Sequence, residues 1–348
     1  MIDENKKEKP MPKTWIWVLI IIIVIGLGVW SYFIFVEKET TEKYVGPIEK
    51  FTFGSSATHK IAAIFVAENK GYFKEEGIDL EIKKFGSGKA SFLAMLKGEG
   101  VDISAVADTP IVLRSFNRED FYLLAGICAS WDDKIIARKD KGINSIADLR
   151  GKKIGVTKGT SAHFFLDDLL IYNGIPASEI EFVDIKPADL VIALEKGDVD
   201  AISAWEPIPF QAEQLLQDKT IKFLNEEIYN KIFYLVIKKG FAKNHPEALK
   251  RFLKAIDKAN TFLREDKEES QAIITEELKL DKKLVATSWQ EDAFDLFLNQ
   301  SQIVALEDQA RWAIQNNLTD KTKVPNYLNY IYLDALEAVK PESMTVIR

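Results

Sequence analysis

The chain has 348 residues, with 46 Lys and Arg against 53 Asp and Glu, which gives a formal net charge of −7. It carries no basic stripe and no basic-aromatic face, so a nucleic acid is not expected as a partner. One cysteine, Cys128, and three histidines exclude an internal disulfide and provide no zinc-ligand spacing, and no metal is expected.

The N-terminal region contains an uncharged apolar segment of about 22 residues, Trp15–Val36, which is long enough to cross a bilayer as a helix. Four lysines precede it and favour a cytoplasmic N-terminus. No small-residue cleavage site and no lipid-accepting cysteine follows it. We therefore predict a cytoplasmic tail (1–14), an uncleaved single-pass transmembrane anchor (15–36) and a polar linker (37–47), with the remainder outside the cell membrane.

Beyond the linker, strand and helix signals alternate, as is typical of βα units in parallel sheets. The first signals are a strand at Phe51–Gly54, a helix at Ile61–Lys70, a strand at Asp79–Phe85 and a helix from about Ala90. Two apolar strands, Phe121–Ala129 and Lys134–Lys139, bracket a crossing into a second lobe, and Phe233–Lys238 is the return. We predict a discontinuous lobe one (48–135 plus 238–348) and a lobe two (136–237).

The C-terminal third is predicted to be mostly helical. Apolar residues recur there at helical spacing. The predicted helices are Ala248–Leu263, Lys267–Glu277, Asp292–Gln315 and Tyr327–Ala338.

One phrase occurs twice, as LKGEGVDISAVADTP from Leu96 and as LEKGDVDAISAWEP from Leu194. In each copy a helix ends at a glycine, a strand of small residues follows, and the strand ends at an acid close to a proline, Asp108 or Glu206. Because ligands bind beyond the carboxyl ends of parallel strands, we expect both acids at a cleft between two sheets. The alternative is that such phrases are ordinary helix-to-strand turns.

The segment Lys152–Leu166, KKIGVTKGTSAHFFL, predicts a short strand, a turn at Gly159 and a helix that begins at Thr160 and Ser161. The first amides of a helix have no internal partner and carry a partial positive charge, so they bind anions. The alternative is that Thr160 or Ser161 only caps its own helix. His163, in the first helical turn, is expected to support the loop.

Four motifs together resemble a known family. They are GYFKEEGIDLEI at Gly71, ADLRGKKIGVTKGTSAHFFL at Ala147, LEKGDVDAISAWEP at Leu194 and AVKPESM at Ala338. Their order resembles the nitrate/sulfonate/taurine branch of substrate-binding proteins of ABC importers, which also contains binders of thiamine-pyrimidine precursors. The resemblance implies an α/β, two-lobed periplasmic-binding-protein fold of type II, with two parallel-type sheets and hinges near Ile135–Arg138 and Phe233–Ile237.

The resemblance also implies the ligand loops, residue by residue. They fall on Ser56, Thr58, His59, Ser87, Gly88, Asp108, Thr109, Thr160, Ser161, Ala162, Trp205 and Glu206. For Ser87 and Gly88 the alternative is a turn and helix cap, and for Trp205 it is packing between the lobes. His59 is expected to face the cleft as a donor to an anion.

These residues combine hydroxyl and amide donors with two carboxylates, so we expect an anionic or zwitterionic ligand such as taurine or another aliphatic sulfonate, or an aminopyrimidine. Nitrate is the alternative. The family implies an ABC permease as the partner of a monomeric extracytoplasmic domain, and a ligand-sensing co-receptor role is a further alternative.

Of the functional hypotheses, the sequence favours an enzyme least. One cousin group of this fold makes a pyrimidine phosphate, but it carries a cysteine-rich iron motif that this chain lacks. The chain also has no Gly-x-Ser-x-Gly and no Walker A sequence, and Ser91 replaces the third glycine of a dinucleotide loop. We expect neither catalysis nor a cofactor.

Overall fold

The structure is a computed structural model that describes residues 25–26, 44–224 and 227–347. From Val45 onward the described residues form one compact unit. Its strands are β1 (Glu49–Ser56), β2 (Ile78–Phe85), β3 (Ile103–Ala107), β4 (Phe121–Ser130), β5 (Lys134–Arg138), β6 (Lys153–Val156), β7 (Glu181–Asp184), β8 (Ala201–Ala204), β9 (Thr220–Phe223), β10 (Lys231–Lys238) and β11 (Asp292–Phe297).

The α-helices follow the same chain order. They are α1 (Ala62–Asn69), α2 (Tyr72–Glu75), α3 (Gly88–Lys97), α4 (Asp108–Ser115), α5 (Ser161–Tyr172), α6 (Leu190–Lys196), α7 (Ile208–Leu216), α8 (Lys239–Asn244), α9 (Pro246–Glu265), α10 (Lys267–Leu278), α11 (Lys282–Ser288), α12 (Gln300–Gln315) and α13 (Asp334–Val339).

The predicted tail (1–14) and the membrane segment Trp15–Val36 lie outside the described residues, apart from 25 and 26, and so does most of the linker (37–47). Within the part of the chain that the structure describes, no helix combines the length and the apolar character needed to cross a membrane.

The strands form two mixed sheets. A six-stranded sheet has the order β11-β4-β10-β3-β1-β2, and a five-stranded sheet has the order β7-β6-β8-β5-β9. Pairing is parallel between β1 and its neighbours β2 and β3, and between β6 and its neighbours β7 and β8. Strands β10, β11, β5 and β9 pair antiparallel.

The prediction of two parallel-type sheets is therefore only partly right. Strand and helix signals alternate in the same way whichever direction a strand takes in its sheet. Three of the antiparallel strands, β5, β9 and β10, lie next to the connections between the sheets, where the chain enters from or leaves for the other sheet without a crossover helix. The fourth, β11, joins the six-stranded sheet as an edge strand on β4.

The connections also lie at other positions than predicted. The chain leaves the six-stranded sheet after Ser130 and enters the five-stranded sheet at Lys134, and it returns between Phe223 and Lys231. Phe233–Ile237, predicted as a hinge, lies inside the six-stranded sheet as part of β10, and this strand is buried except at its last residue. A continuous apolar run is typical of a strand covered on both faces, which a sequence pattern does not separate from a hinge strand.

The duplicated phrase forms the same structural unit twice. Helix α3 ends at Gly98 (φ 79°) and α6 ends at Gly197 (φ 77°), and both glycines adopt the left-handed conformation that terminates a helix. Strands β3 and β8 follow them. Each unit directs the carboxyl end of a parallel strand toward the same region of the molecule.

Two predicted helices are wrong in their first parts. In the predicted helix Tyr327–Ala338, Tyr327–Tyr330 is a 3₁₀ turn and α13 begins only at Asp334. Residues 292–297 of the predicted helix Asp292–Gln315 form β11, and helix α12 begins only at Gln300. β11 is an edge strand on β4. The sequence DAFDLF carries apolar residues at both helical and strand spacing, and pairing with β4 decides between them.

Candidate ligand-binding site

A cavity lies where the carboxyl ends of β1, β3 and β8 and the starts of α3 and α5 meet. The space between its walls is about 370 Å³, a figure that includes open solvent at its mouth. It is lined by Ser56, Ser87, Gly88, Lys89, Ala107, Pro110, Thr160, Ser161, Trp205, Lys231 and Phe233. Both sheets contribute to it, as the strand-end argument predicts.

The structure brings six of the predicted site residues together around this cavity. They are Ser56, Ser87, Gly88, Thr160, Ser161 and Trp205. The side chain of Ser87 also caps α3, since its Oγ accepts from the backbone N–H of Ala90 at 3.1 Å. Ser87 therefore both caps α3 and lines the cavity, so the two interpretations of this residue are compatible.

Helix N-termini supply the electrostatics of the cavity. Gly88 and Ser161, at the starts of α3 and α5, line it. Helix α4 contributes Pro110, which has no N–H, and the N–H of Thr109 donates to Asp108. The unpaired N–H groups of a first helical turn favour negative charge nearby. Two such termini at one cavity favour an anion as its occupant.

The hydroxyls of Thr160 and Ser161 are already used as donors. Thr160 Oγ1 donates to the carbonyl oxygen of Thr157 at 2.6 Å, and Ser161 Oγ donates to Asp133 Oδ1 at 3.2 Å. The donors left for an anion on this wall are therefore backbone N–H groups.

His163 supports this loop, as predicted. Its Nδ1 accepts from the backbone N–H of Gly159 at 3.3 Å. Burial, followed by the nearby charge of Lys158, lowers the pKa of His163 to about 4. The ring is therefore neutral near pH 7, which it must be for Nδ1 to accept a hydrogen bond.

Two lysines that the sequence reasoning missed also line the cavity, Lys89 and Lys231. Lys89 directly follows the predicted Ser87-Gly88 pair in the first turn of α3, so a charge search around that pair would have found it. Nothing local marks Lys231, which opens β10, because only the return of the chain from the second sheet brings it to the cavity.

Asp108 and Thr109 are not among the cavity-lining residues, in contrast to the prediction. Asp108 is buried and accepts hydrogen bonds from the hydroxyl of Tyr229 and from the backbone N–H of Thr109 at 2.8 Å. Burial raises its pKa. Thr109 Oγ1 donates to Gln309 Oε1 at 2.8 Å. The strand end was placed correctly, but the carboxylate turns into the protein.

Glu206 is likewise engaged inside the protein. It is buried, and its Oε1 lies 2.7 Å from Lys134 Nζ, while its Oε2 accepts from the backbone N–H of Phe210 at 3.1 Å. Lys134 also contacts Glu291 at 2.8 Å. The duplicated phrase therefore places an acid at each strand end for structural bonds, and not for direct contact with the cavity.

Thr58, His59 and Ala162 also lie away from the cavity lining. Thr58 Oγ1 accepts from the N–H of Lys60 at 3.4 Å and caps a short 3₁₀ turn. His59 does not face the cleft, because it is buried with Nε2 3.0 Å from Asp292 Oδ2. Ala162 is buried, and its carbonyl oxygen accepts from Ser203 Oγ at 2.8 Å.

The apolar part of the cavity wall consists mainly of Trp205 and Phe233, together with Ala107 and Pro110. No acidic side chain is found among the described residues that line the cavity. The arrangement can hold an anionic group against amides and ammonium groups, with a small apolar part against the two rings.

Comparison with known proteins identifies the family. Residues 58–270 match the family model described as NMT1/THI5 like. The chain belongs to this family. The match covers the five-stranded sheet and strands β2, β3, β4 and β10 of the six-stranded sheet, and it includes every residue that lines the cavity except Ser56.

Two proteins that are similar to this chain are named for the ligands that they bind. A Bacillus subtilis (strain 168) protein named for the binding of aliphatic sulfonates is 28% identical over 235 residues, which is 65% of this chain and 69% of that protein. The taurine-binding periplasmic protein of Escherichia coli (strain K12) is 27% identical over 209 residues, which is 58% of this chain and 63% of that protein.

Solved structures show the fold. The periplasmic aliphatic sulphonate binding protein SsuA from Escherichia coli superposes with a TM-score of 0.70 at 18% identity, covering 82% of this chain and 98% of that one. The periplasmic nitrate-binding protein NrtA from Synechocystis PCC 6803 gives 0.67 at 16% identity, covering 85% and 89%. The chain therefore has the periplasmic-binding-protein fold.

Proposed function

We propose that this protein is an extracytoplasmic solute receptor that closes on a small anionic ligand, most specifically an aliphatic sulfonate, and delivers it to an ABC permease. The observation that carries the proposal is the cavity itself, where the N-termini of α3 and α5 and two lysines converge beside two aromatic rings. Family relatives named for sulfonate and taurine binding support it.

The lining favours a sulfonate with an apolar tail over the other candidates. Nitrate would satisfy the amides but would leave Trp205 and Phe233 without a partner. Taurine carries an ammonium group, and Asp108 and Glu206, the two carboxylates expected to receive it, are bonded elsewhere. A buried ammonium without a carboxylate or equivalent partner is costly. The expectation of an amine-bearing ligand therefore gives way to an unsubstituted alkanesulfonate.

The proposal keeps the predicted organisation around this site. The segment Trp15–Val36 would anchor the protein in the cell membrane, with the binding domain outside it as a monomer. Tethering would raise the effective concentration of the receptor near its permease. Cysteine accessibility to an impermeant reagent, scanned at positions before and after this segment in whole cells, would test the orientation.

Titration calorimetry on the full-length protein tests the ligand. We expect ethanesulfonate to bind more tightly than taurine and nitrate, and aminopyrimidines not to bind. Tighter binding of nitrate or of an aminopyrimidine than of ethanesulfonate would contradict the sulfonate assignment. Uptake of labelled ethanesulfonate by cells with and without the gene tests delivery, and unchanged uptake would count against the importer role.

A further inference from the structure

Lys89 connects the two sides of the cavity. It lies in the first turn of α3, beside the six-stranded sheet, and its Nζ donates to the carbonyl oxygen of Lys158 at 2.9 Å. Lys158 precedes α5, next to the five-stranded sheet. The same side chain lines the cavity. An ammonium has three N–H donors, so this contact leaves two for other partners.

The charge of Lys89 is not balanced by a neighbouring carboxylate. Among the described residues, no carboxylate oxygen lies within 4.0 Å of its Nζ. Lys231, the other lysine at the cavity, differs in this respect, because its Nζ contacts Asp132 and lies 2.9 Å from Asp133 Oδ2. Lys231 is ion-paired in place, while Lys89 brings to the cavity a positive charge without an ion pair among the described residues.

The surroundings make this charge unfavourable until an anion arrives. Burial lowers the pKa of Lys89, Asp184 opposes the lowering, and the guanidinium of Arg114 adds a smaller lowering. A half-buried cation is incompletely solvated, so a bound counter-ion lowers its free energy more than it would lower that of a fully solvated cation. The ligand of an anion receptor is such a counter-ion.

The loop opposite leaves little space around the ammonium. Gly159 adopts a φ of +69°, and a Cβ at this position would lie 3.3 Å from Lys89 Nζ and 2.8 Å from Leu113 Cδ1. The contact between Lys89 and the loop before α5 therefore depends on close approach of the two sides. Opening of the cavity would separate them.

We propose that Lys89 is the residue that selects the ligand by charge and couples its binding to closure, by contacting the bound anion and the Lys158 carbonyl at the same time. This inference rests on the proposed function and extends it to a specific residue. It requires a ligand with a net negative charge at the ammonium. The ligand completes the charge balance of the closed form.

The first test measures ethanesulfonate affinity of the full-length protein by titration calorimetry for the wild type and three variants. Lys89→Met removes the charge and keeps the stem, and we expect it to weaken binding roughly tenfold to a hundredfold, the range for loss of a charged hydrogen bond. Lys97→Met, at the other end of α3, removes an exposed lysine and should change affinity less than about twofold.

Lys89→Arg separates charge from shape. It retains a cation and should recover most of the affinity that Lys89→Met loses. Affinity of Lys89→Met within threefold of the wild type would overturn the inference while leaving the proposed function intact. A wild-type protein that binds neither ethanesulfonate, taurine nor nitrate would instead overturn the proposed function, and this inference with it.

A second test does not depend on the variants folding. If an anion stabilises the charged form of Lys89, binding must raise the lowered pKa of this group, so the protein takes up protons as it binds ligand at alkaline pH. Calorimetry in two buffers of different ionisation enthalpy, from pH 7 to pH 10, should show uptake that grows with pH in the wild type and is absent in Lys89→Arg. The charged groups that act on Lys89 are Asp184 and Arg114, and its contact with Lys158 is to the backbone carbonyl oxygen. No proton uptake by the wild type over this range would overturn the inference.

Discussion

The two lysines that line the cavity, Lys231 and Lys89, differ in whether carboxylates compensate their charge. Lys231 belongs to a buried charge cluster, formed by Lys60, Lys231, Asp132, Asp133 and Asp292, in which each ammonium contacts two carboxylates. Lys89 lies on the other side with a carbonyl oxygen as its described partner. The ion pairs of this cluster hold the connection between the sheets, whereas a lysine without an ion pair at a cavity is available to a ligand.

The position of the buried charge cluster explains its role. Asp132 and Asp133 lie on the first connection between the sheets, and Lys231 begins the strand that follows the second. The cluster therefore joins both connections near the base of β10. An anion that contacted this cluster would disturb the ion pairs that link the two sheets. An anion that contacts Lys89 affects only the closure of the cavity.

The largest effect is expected from Asp132→Asn, which tests whether the cluster is structural. Asp132 is buried, contacts Lys60 (3.3 Å) and Lys231, and these ammonium groups together with His59 hold the pKa of its carboxyl below the usual range despite burial. Removing the charge takes one charged contact from each of two buried ammonium groups, at about 1.5–3 kcal/mol for each contact, so we expect a loss of about 3–5 kcal/mol in the free energy of unfolding.

Urea unfolding of the full-length protein would measure this loss. Asp79→Asn is the matched control, since Asp79 pairs with Lys50 at 3.5 Å on the surface, with side-chain exposures of 55% and 83%, and it should cost less than about 1 kcal/mol. Equal losses in the two variants would mean that the cluster is not distinguished by burial.

Glu206→Gln asks whether the second strand-end acid serves structure or ligand. The variant removes one of two carboxylates from Lys134, and we expect a loss of about 1–3 kcal/mol in unfolding free energy. The ratio of ethanesulfonate to taurine affinity should stay unchanged, because the carboxylate is not in the cavity lining. A selective loss of taurine binding, measured by calorimetry, would restore Glu206 as a ligand contact.

Asp167→Asn tests a buried carboxylate whose hydrogen-bond partner is neutral, in comparison with the ion-paired carboxylates of the cluster. Asp167 Oδ2 accepts from Trp312 Nε1 at 2.8 Å, and burial raises the pKa of Asp167 to about 6. Because the folded-state pKa lies above the unfolded value, the wild type binds more protons when folded, and this group favours the folded state increasingly as pH falls from 7 toward 4.

At pH 7 the neutral amide avoids the cost of the buried charge and still accepts the Trp312 hydrogen bond. We expect Asp167→Asn to raise the unfolding free energy at pH 7 by on the order of 1–2 kcal/mol, with the gain shrinking toward pH 4. Urea unfolding at both values provides the check. A gain independent of pH would show that the carboxylate charge is not the cause.

The smallest effect is expected from Gly159→Ala, which probes the approach of the loop to Lys89. Gly159 has a positive φ, and a Cβ added to it would lie 2.8 Å from Leu113 Cδ1, so both the backbone and the space oppose a side chain. Gly174→Ala is the matched control, because Gly174 has a φ of +63° and no atom within 4 Å of the added Cβ. Both variants should lose about 1 kcal/mol of stability.

The two glycine variants should differ in ligand binding. Gly159→Ala alone is expected to weaken ethanesulfonate binding, roughly fivefold for about 1 kcal/mol of disturbance in the closed form. Calorimetry on the pair decides. Equal affinities in the two variants would indicate that the loop does not need to approach Lys89 for closure.

Much of the site followed from local patterns. Ser87-Gly88 and Thr160-Ser161 were identified because a strand followed by a glycine turn and a helix start is a short-range signal, and both pairs line the cavity. The duplicated phrase likewise predicted two helix-glycine-strand units, and both are present. These features depend on residues within one or two turns of each other.

Other parts could not be predicted because the deciding partner is distant in the chain. Asp108 bonds to Tyr229, 121 residues away, and Glu206 bonds to Lys134, 72 residues away. Lys231 reaches the cavity only through the return strand, and 292–297 becomes a strand because β4 offers an edge. No local signal tells a strand-end acid facing a cleft from one facing the interior.

The sequence by itself determined the alternating units, the strand ends that carry polar groups and the family to which those motifs point. Tertiary structure decided which of these groups face the cavity, because a charge that meets a partner across the fold is neutralised there and a charge that meets none is left for a solute. Lys89 and Asp108 show both outcomes: each lies at the start of a helix beside the cavity, and only the lysine lines it.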